Sequence, residues 1–526
     1  MAYLSTIAVT LLAIPILYVF TRFLILRKHT LPLPPGPKSI PVLGNINDLP
    51  KPGALEYLHW LAHKDTYGPI SSVTILGQTL IIINNADMAL DLLRDRSAIN
   101  SGRPHMVFAG EMVGWNKTLG LSQPSERFKL FRKNFAKVAS KRGTLEVFDR
   151  VQEEESAHFL LNLLESPEEL FDHIRKEAGA VILRITYGYT PNAKGRDPLV
   201  DLAGKAMKEF DEASVPGKYL VDSVPFLRFL PDWCPGTEFK DTARSMARQL
   251  TRTIEVPYAF VKQQMREERH KSSYLSQAIE DIGADADMEQ IHKWSAASMY
   301  NAGADTTVTS LMIFFLAMMQ FPDVQKKAQE ELDRVIGHRG LPVSSDKESL
   351  SYLEAVVRET HRWHPVAPMA IPHTSSEEAT YRGYRIPKGA MLMPNTWWFT
   401  HDPLVYHNPM TFNPDRFLGA SPEPDPRIYT FGYGRRICPG RYVADNALFI
   451  TIAQVLAVFN ISKPVENGVT IEPKVEFESG VISHPVPYKC SIEPRSERHR
   501  ELIMKSEEVY PWRQSDAHEL ERLGVS

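Results

Sequence analysis

The sequence predicts a mostly α-helical, α+β domain in one large piece, with small β-sheets and a single N-terminal transmembrane helix ahead of it. Three observations predict this. Apolar residues recur at three- and four-residue spacing through most of the chain. Strand-like stretches are few, short and bounded by turn residues. The run from Ala2 to Thr21 contains no charged residue.

At ~1.5 Å per residue, that run reaches across a ~30 Å hydrocarbon layer. Arg22, Arg27, Lys28 and His29 follow it and no Lys or Arg precedes it. The positive-inside tendency therefore predicts an uncleaved anchor over 1–26, with the rest of the chain in the cytosol. A secretory signal would need a small-residue cleavage site, where this chain has Pro32, Pro34 and Pro35. Residues 27–40 read as a stiff, extended spacer, because each proline fixes its own backbone and biases the residue before it away from helix. No repeat, low-complexity stretch or second linker interrupts 41–490, so these residues read as one domain. Helices are expected over Glu126 to Val138, Thr144 to Leu164, Glu169 to Tyr187, Glu238 to Arg269, Met288 to Gln320, Asp323 to Ile336, Ser349 to His364 and Ala444 to Val458. Strands are expected over Ile70 to Ile75, Thr79 to Ile83, Tyr381 to Tyr384 and Met391 to Pro394. Residues 491–526 hold 6 Lys or Arg and 8 Asp or Glu and read as a polar surface appendage.

Composition narrows the function classes. With 43% hydrophobic and 23% charged residues among 526, disorder, collagen and multi-span membrane classes are excluded. The balance of 60 basic against 63 acidic residues leaves a net charge of −3, which gives no global field for nucleic acid. Cys234, Cys438 and Cys490 are too few for a disulfide framework and fit a reducing compartment.

The most informative stretch is Phe431-Gly432-Tyr433-Gly434-Arg435-Arg436-Ile437-Cys438-Pro439-Gly440-Arg441. It sets a cysteine at a loop-to-helix junction, where backbone amides stabilise a thiolate and glycines let a flat partner approach. A buried structural cysteine in a tight turn is the plainer alternative and serves for Cys234 and Cys490; the glycines and Arg436 set Cys438 apart. In a second segment, Glu359 and Arg362 share one helix face at i and i+3. A third, Asn301-Ala302-Gly303-Ala304-Asp305-Thr306-Thr307, places Gly and two Thr inside a long helical pattern, where Gly costs up to ~1 kcal/mol against Ala. Gly303 would admit a flat ligand and Thr306 could turn its hydroxyl towards it, or the segment is a kinked core helix.

The spacing F-x-x-G-x-R-x-C-x-G resembles the haem-binding signature of the cytochrome P-450 family, with every fixed position filled. The resemblance extends over roughly Pro32 to Cys490 and implies a membrane-anchored, haem-thiolate monooxygenase of microsomal type, similar to members from fungal secondary metabolism. It implies Cys438 as the axial ligand of haem b (iron protoporphyrin IX). Arg436 would meet a propionate, Phe431 would pack beside the sulfur, and Gly440 would lie against the cofactor. Glu359 and Arg362 with Arg416 would form the family's buried charge triad. Asp305 and Thr306 would relay protons to dioxygen. Phe128 and Arg132 occupy the family's W-x-x-x-R positions with the tryptophan replaced, and His373 is a further propionate candidate. The implied partners are NADPH-cytochrome P-450 reductase docking on a basic face (Lys129, Lys133, Lys137, Lys141, Arg142, Arg435, Arg441), cytochrome b5, the lipid bilayer of the endoplasmic reticulum, and a lipophilic small molecule entering near Leu220 to Trp233. No nucleic acid partner is implied. Within the fold the rival reading is an isomerase or dehydratase acting on a peroxide, against which Asp305 and Thr306 argue; outside it, a non-catalytic, membrane-tethered haem-binding protein.

Overall fold

The computed structural model describes residues 31–524 other than 52, 140, 141, 216 and 284, so the expected anchor lies outside the described residues. The longer helices are α1 (Glu56–Tyr67), α2 (Glu126–Ala139), α3 (Arg142–Glu165), α4 (Leu170–Tyr187), α5 (Pro198–Ala213), α6 (Glu238–Arg266), α7 (Tyr274–Ile282), α8 (Ala286–Gln320), α9 (Pro322–Val335), α10 (Ser351–Trp363) and α11 (Arg441–Val458). All eight expected helices start and end within three residues of their predicted bounds. α1 lies outside the expectation, as do α5 and α7. The starts of the latter two carry ordinary signals: Asp197 caps α5 ahead of Pro198, and Ser273 forms a capping box on α7.

α8 is the spine of the core. It packs against α2, α4, α5, α6, α7 and α11, and from Val308 to Met319 its residues are buried. Among the described residues, α8 and α11 are long and apolar enough to cross a membrane, but both are mostly buried in the protein. Their apolarity is that of core helices. α8 runs unbroken through Gly303 for 35 residues. A Cβ on Gly303 would lie 2.9 Å from the Ile182 side chain of α4, so this glycine permits a close helix crossing rather than the approach of a flat ligand.

The strands are β1 (Ile70–Ile75), β2 (Gln78–Ile83), β3 (His373–Thr374), β4 (Ala379–Tyr381), β5 (Tyr384–Ile386), β6 (Met391–Pro394), β7 (Phe459–Ser462), β8 (Val465–Glu466), β9 (Val469–Thr470) and β10 (Ser491–Pro494). The largest sheet has the order β1-β2-β6-β3, with β2 and β6 parallel. The strand expected over Tyr381 to Tyr384 is instead the turn between β4 and β5. Arg382 (φ 48°) and Gly383 (φ 83°) both adopt left-handed conformations, as a two-residue hairpin turn of type I′ requires.

Both ends of the described chain are docked. The proline-rich segment, expected as a stiff, extended spacer, is also pinned to the sheet: Ser72 donates its amide to the Pro35 carbonyl (2.8 Å) and its hydroxyl to the Pro34 carbonyl (2.6 Å). The polar C-terminus, expected as an appendage, also packs onto the domain. α12 (Glu497–Val509) buries Ile503 against α3, and α13 (Ala517–Arg522) buries Leu520 near α6. Between them Trp512 stacks on His158 (4.0 Å between centroids) and Arg513 pairs with Glu154 (2.6 Å). A few apolar residues in a mostly polar stretch are enough to fix it.

Candidate active site

Cys438 ends a tight loop. Gly432 (φ 79°) turns the chain, the Cys438 amide donates to the Phe431 carbonyl (2.7 Å), and α11 starts at Arg441. The sulfur therefore sits by the first turn of a helix, beside unpaired amides. Burial raises the thiol pKa, while the Gly440 amide, Arg132 and Arg441 act to lower it. A metal cation would complete the deprotonation. The three glycines differ in role. A Cβ at Gly440 would meet nothing within 4 Å, which leaves open space beside the sulfur. A Cβ at Gly434 would lie 2.5 Å from the Leu93 carbonyl oxygen, so that glycine serves loop packing and not, as expected, a flat partner.

Three arginines converge beside this loop. Arg436 donates to the carbonyls of Ser101 (2.7 Å) and Ser122 (2.7 Å), and its guanidinium lies 4.1 Å from the centre of the Phe128 ring. Phe128, where the resembling family has tryptophan, thus supplies a cation–π face in place of an N–H donor. Arg132 donates to the Ile437 carbonyl. Arg103, which the sequence did not single out, donates to the carbonyls of Gly120 (2.9 Å), Ile371 (2.7 Å) and Pro372 (2.8 Å). Burial lowers the pKa of all three, Arg436 adding repulsion at Arg103, Arg132 at Arg436 and Arg441 at Arg132, where Cys438 opposes the shift; Arg103 moves far down and Arg436 to about 10. Among the described residues no carboxylate lies within ion-pair reach of any of them. Buried guanidinium groups cannot shed their charge at neutral pH, so this cluster is built for an anion.

His373 departs from expectation. It is 2% exposed, its Nδ1 lies 2.7 Å from the Asn100 carbonyl, and burial with Arg103 and Arg436 nearby lowers its pKa to about 3. A carbonyl only accepts, so the one N–H of the neutral ring is committed there and none is left for a propionate. Arg103 is the better donor at this position.

On α8, Ala302 is exposed between the buried Asn301 and Ala304, with Asp305 and Thr306 partly exposed beside it. Thr306 was expected to turn away from the preceding turn, but its hydroxyl donates to the Ala302 carbonyl (2.9 Å). Its oxygen remains able to accept. Asp305 Oδ2 lies 3.4 Å from His484 Nε2, and His484 Nδ1 lies 3.0 Å from Thr309 Oγ1.

The triad is assembled as expected. Arg362 donates through Nε and Nη2 to the two Glu359 oxygens (2.8 and 2.9 Å), and Arg416 Nε reaches Glu359 Oε1 at 3.1 Å. The next residue but one, His361, faces the other way and meets the Phe431 ring edge-on at 5.1 Å between centroids. The triad helix thus touches the residue whose carbonyl anchors the Cys438 amide.

Haem fits these residues: a thiol at a helix start, open space at Gly440, an exposed helix surface at Ala302, and carboxylate-free buried arginines suited to two propionates. Of the predicted site residues, Cys438, Arg436, Phe431, Gly440 and Arg132 gather at the loop, while Asp305 and Thr306 lie together on α8. Asp211 and His484, which approach Asp305, carried no local sequence signal and were missed.

Comparison with known proteins gives a consistent result. The family model described as cytochrome P-450 matches residues 34–492. A cytochrome P-450 monooxygenase, claR, of Ampulloclitocybe clavipes is 46% identical over 519 residues, covering 98% of this chain and 96% of its own. A cytochrome P-450 monooxygenase, ppsD, of Aspergillus oryzae is 44% identical over 506 residues, covering 95% and 96%. The O-methylsterigmatocystin oxidoreductase of Aspergillus flavus is 38% identical over 512 residues, covering 96% of each chain.

Proposed function

The chain belongs to the cytochrome P-450 family and is a haem-dependent monooxygenase, and from that premise we propose that it inserts one oxygen atom from O2 into a lipophilic small molecule with electrons from NADPH delivered by a reductase. The observation that carries the reading is the carboxylate-free arginine cluster beside Cys438. Cys438 is the iron ligand, and Arg103, Arg132 and Arg436 hold the propionates. Haem supplies there the one-electron and dioxygen chemistry that no side chain can. The side chains of α8 handle protons. Asp305, held beside His484, is the donor, and the Thr306 oxygen passes the proton into the pocket.

Docking follows from the surface. Lys129, Lys133, Lys137 and Arg435 are exposed around the proximal side and suit an acidic flavoprotein, and cytochrome b5 fits the same charge. Lys141 and the Arg142 side chain lie outside the described residues. On another face Leu220, Phe226, Phe229 and Trp233 are exposed, as are Val42, Leu43 and Ile46, and the two stretches meet where Gly217 approaches Leu49. Such a patch on a soluble surface marks a membrane contact, consistent with a cytosolic domain resting on the endoplasmic reticulum and taking its substrate from the bilayer.

The deciding experiment is spectroscopic and kinetic together. Reduced, carbon monoxide-bound protein should show the red-shifted Soret band of thiolate ligation, absent in Cys438→Ala and retained in Cys490→Ala. With NADPH and a reductase, Thr306→Ala should release hydrogen peroxide at the expense of product. A normal band in Cys438→Ala would falsify the ligand assignment.

A further inference from the structure

Three side chains far apart in sequence meet over α8. Asp211 of α5, Asp305 of α8 and His484 of the turn before β10 bring one ligand-type atom each within 4.8 Å of the others. The turn is tied down from both sides: the Ile482 amide donates to Asp211 Oδ1 (3.4 Å), and His484 Nδ1 lies 3.0 Å from Thr309 Oγ1. Thr309 donates its own proton to the Asp305 carbonyl (3.1 Å), so its oxygen accepts from His484 Nδ1–H. This leaves Nε2 directed at Asp305 across 3.4 Å, an ion-pair contact longer than a good hydrogen bond. Asp305 Oδ2 is buried without a hydrogen-bond partner.

A second observation lies one turn earlier. Asn301, Asp305 and Thr309 recur every four residues and share one stripe of α8. Asn301 is 3% exposed, and both its amide nitrogen and its amide oxygen are buried without a partner among the described residues. A buried primary amide with neither atom satisfied is costly in a finished core and points to a missing polar partner. Phe210, Ala297 and Val481, each within four residues of a member of this group, belong to one apolar cluster with Phe108 and Ile371.

The charges select the partner. Burial, with repulsion from Asp305, pushes Asp211 up to about 7, whereas Asp305, Asp211 and Glu478 raise His484 against the opposing effect of burial. The group therefore sets acid oxygens beside an imidazole whose protonated, donating form is favoured. An ammonium group would be repelled by the imidazolium and could accept nothing from it. A carboxylate would be repelled by the two acids. A hydroxyl does both jobs, donating to a carboxylate while accepting from Nε2–H.

We propose that Asp211, His484 and Asp305, extended by Asn301, form a hydroxyl-recognition subsite, so that the substrate is an apolar skeleton already bearing a neutral hydroxyl group. This rests on the monooxygenase reading above and names the substrate class for that site. The hydroxyl anchors the skeleton on α8 and fixes which carbon meets the reacting centre. A reaction that installs or unmasks a hydroxyl, whether an oxygenation, a carbonyl reduction, a hydration or a hydrolysis, must therefore supply the substrate.

The test uses full-length haem-loaded protein, reduced and saturated with carbon monoxide so that no probe gains affinity by ligating iron. Equilibrium dialysis measures binding of indane, indanol and aminoindane. Indanol should bind at least ~10-fold more tightly than either relative, the size expected for even one charge-assisted hydrogen bond. In Asp211→Asn and in His484→Gln that preference should fall to about threefold or less, with indane binding within about twofold of wild type. Either variant alone decides if the other fails to fold. Indanol bound no more tightly than indane, or a preference that survives both substitutions, overturns the subsite. The carbon monoxide band separates the two levels: a wild-type protein without the thiolate band defeats the monooxygenase reading, while an intact band without the preference defeats the subsite alone.

Discussion

Under the cysteine loop, Arg362 and Arg416 are buried with 0% and 2% of their side chains exposed, and the carboxylate of Glu359 holds both. Beside the sulfur, Arg103, Arg132 and Arg436 lie against backbone carbonyls and an aromatic ring, with no carboxylate in reach among the described residues. The remaining partners of the first group come from the chain as well: Thr400 and Thr411 carbonyls for Arg362, and the His407 carbonyl and Glu423 for Arg416. One group is complete without a ligand and the other is not. A buried guanidinium keeps its proton at neutral pH, so the difference separates structural from ligand-binding arginines without any appeal to conservation.

The largest effect should come from breaking the complete group. Arg362→Met would leave Arg416 as the one guanidinium compensating two carboxylates, Glu359 and Glu423, at a cost of ~3 to 5 kcal/mol. Urea midpoints should fall in haem-free and haem-loaded protein alike. A wild-type midpoint in either form would show that the triad is dispensable.

The incomplete group should respond in a ligand-dependent way. Arg103→Met removes a buried charge that carbonyls only partly compensate, so haem-free stability should stay within ~1 kcal/mol of wild type. A propionate losing that partner forfeits ~1.5 to 3 kcal/mol, which speeds haem loss by roughly 10- to 100-fold. Transfer of haem to excess apomyoglobin measures the rate. Equal destabilisation of both forms would make Arg103 another structural arginine.

The sequence carries these two groups unequally. Cys438 and its glycines are contiguous, and Glu359 and Arg362 are one helical turn apart, so local pattern displays them. Arg103 stands in a loop with no repeating pattern, and the carbonyls it binds belong to residues 120, 371 and 372. His373 was assigned to a propionate because the chain does not display the Asn100 carbonyl that occupies its N–H. Gly303 was assigned to a ligand because Ile182 is 121 residues away in the chain, although it is adjacent in space. Helices follow from local periodicity; the meeting of Asp211, Asp305 and His484 depends on how three of those elements pack.

The smallest effect concerns a buried acid that has no cation among the described residues, the mirror of the unpaired arginines. Glu177 on α4 is 3% exposed, its Oε1 accepts from the Thr451 hydroxyl (3.0 Å), and its Oε2 has no partner. Unlike arginine, a carboxyl group can escape its charge by taking up a proton. Burial, with a contribution from Glu155, raises its pKa from 4.5 to about 8. Between those values the folded protein holds a proton that the unfolded chain has released, so unfolding releases a proton and stability falls as pH rises. The contribution is present in full below about 4.5 and is gone above about 8. The slope from this one group is at most ~1.4 kcal/mol per pH unit. Glu177→Gln keeps an acceptor for Thr451 and carries no titrating proton, so its stability should lack this slope. Urea midpoints at intervals across that range, wild type minus variant, isolate Glu177 from every other titrating residue. A difference that stays constant with pH would mean that Glu177 is ionised in the folded protein, and a cation would then have to lie near its free oxygen.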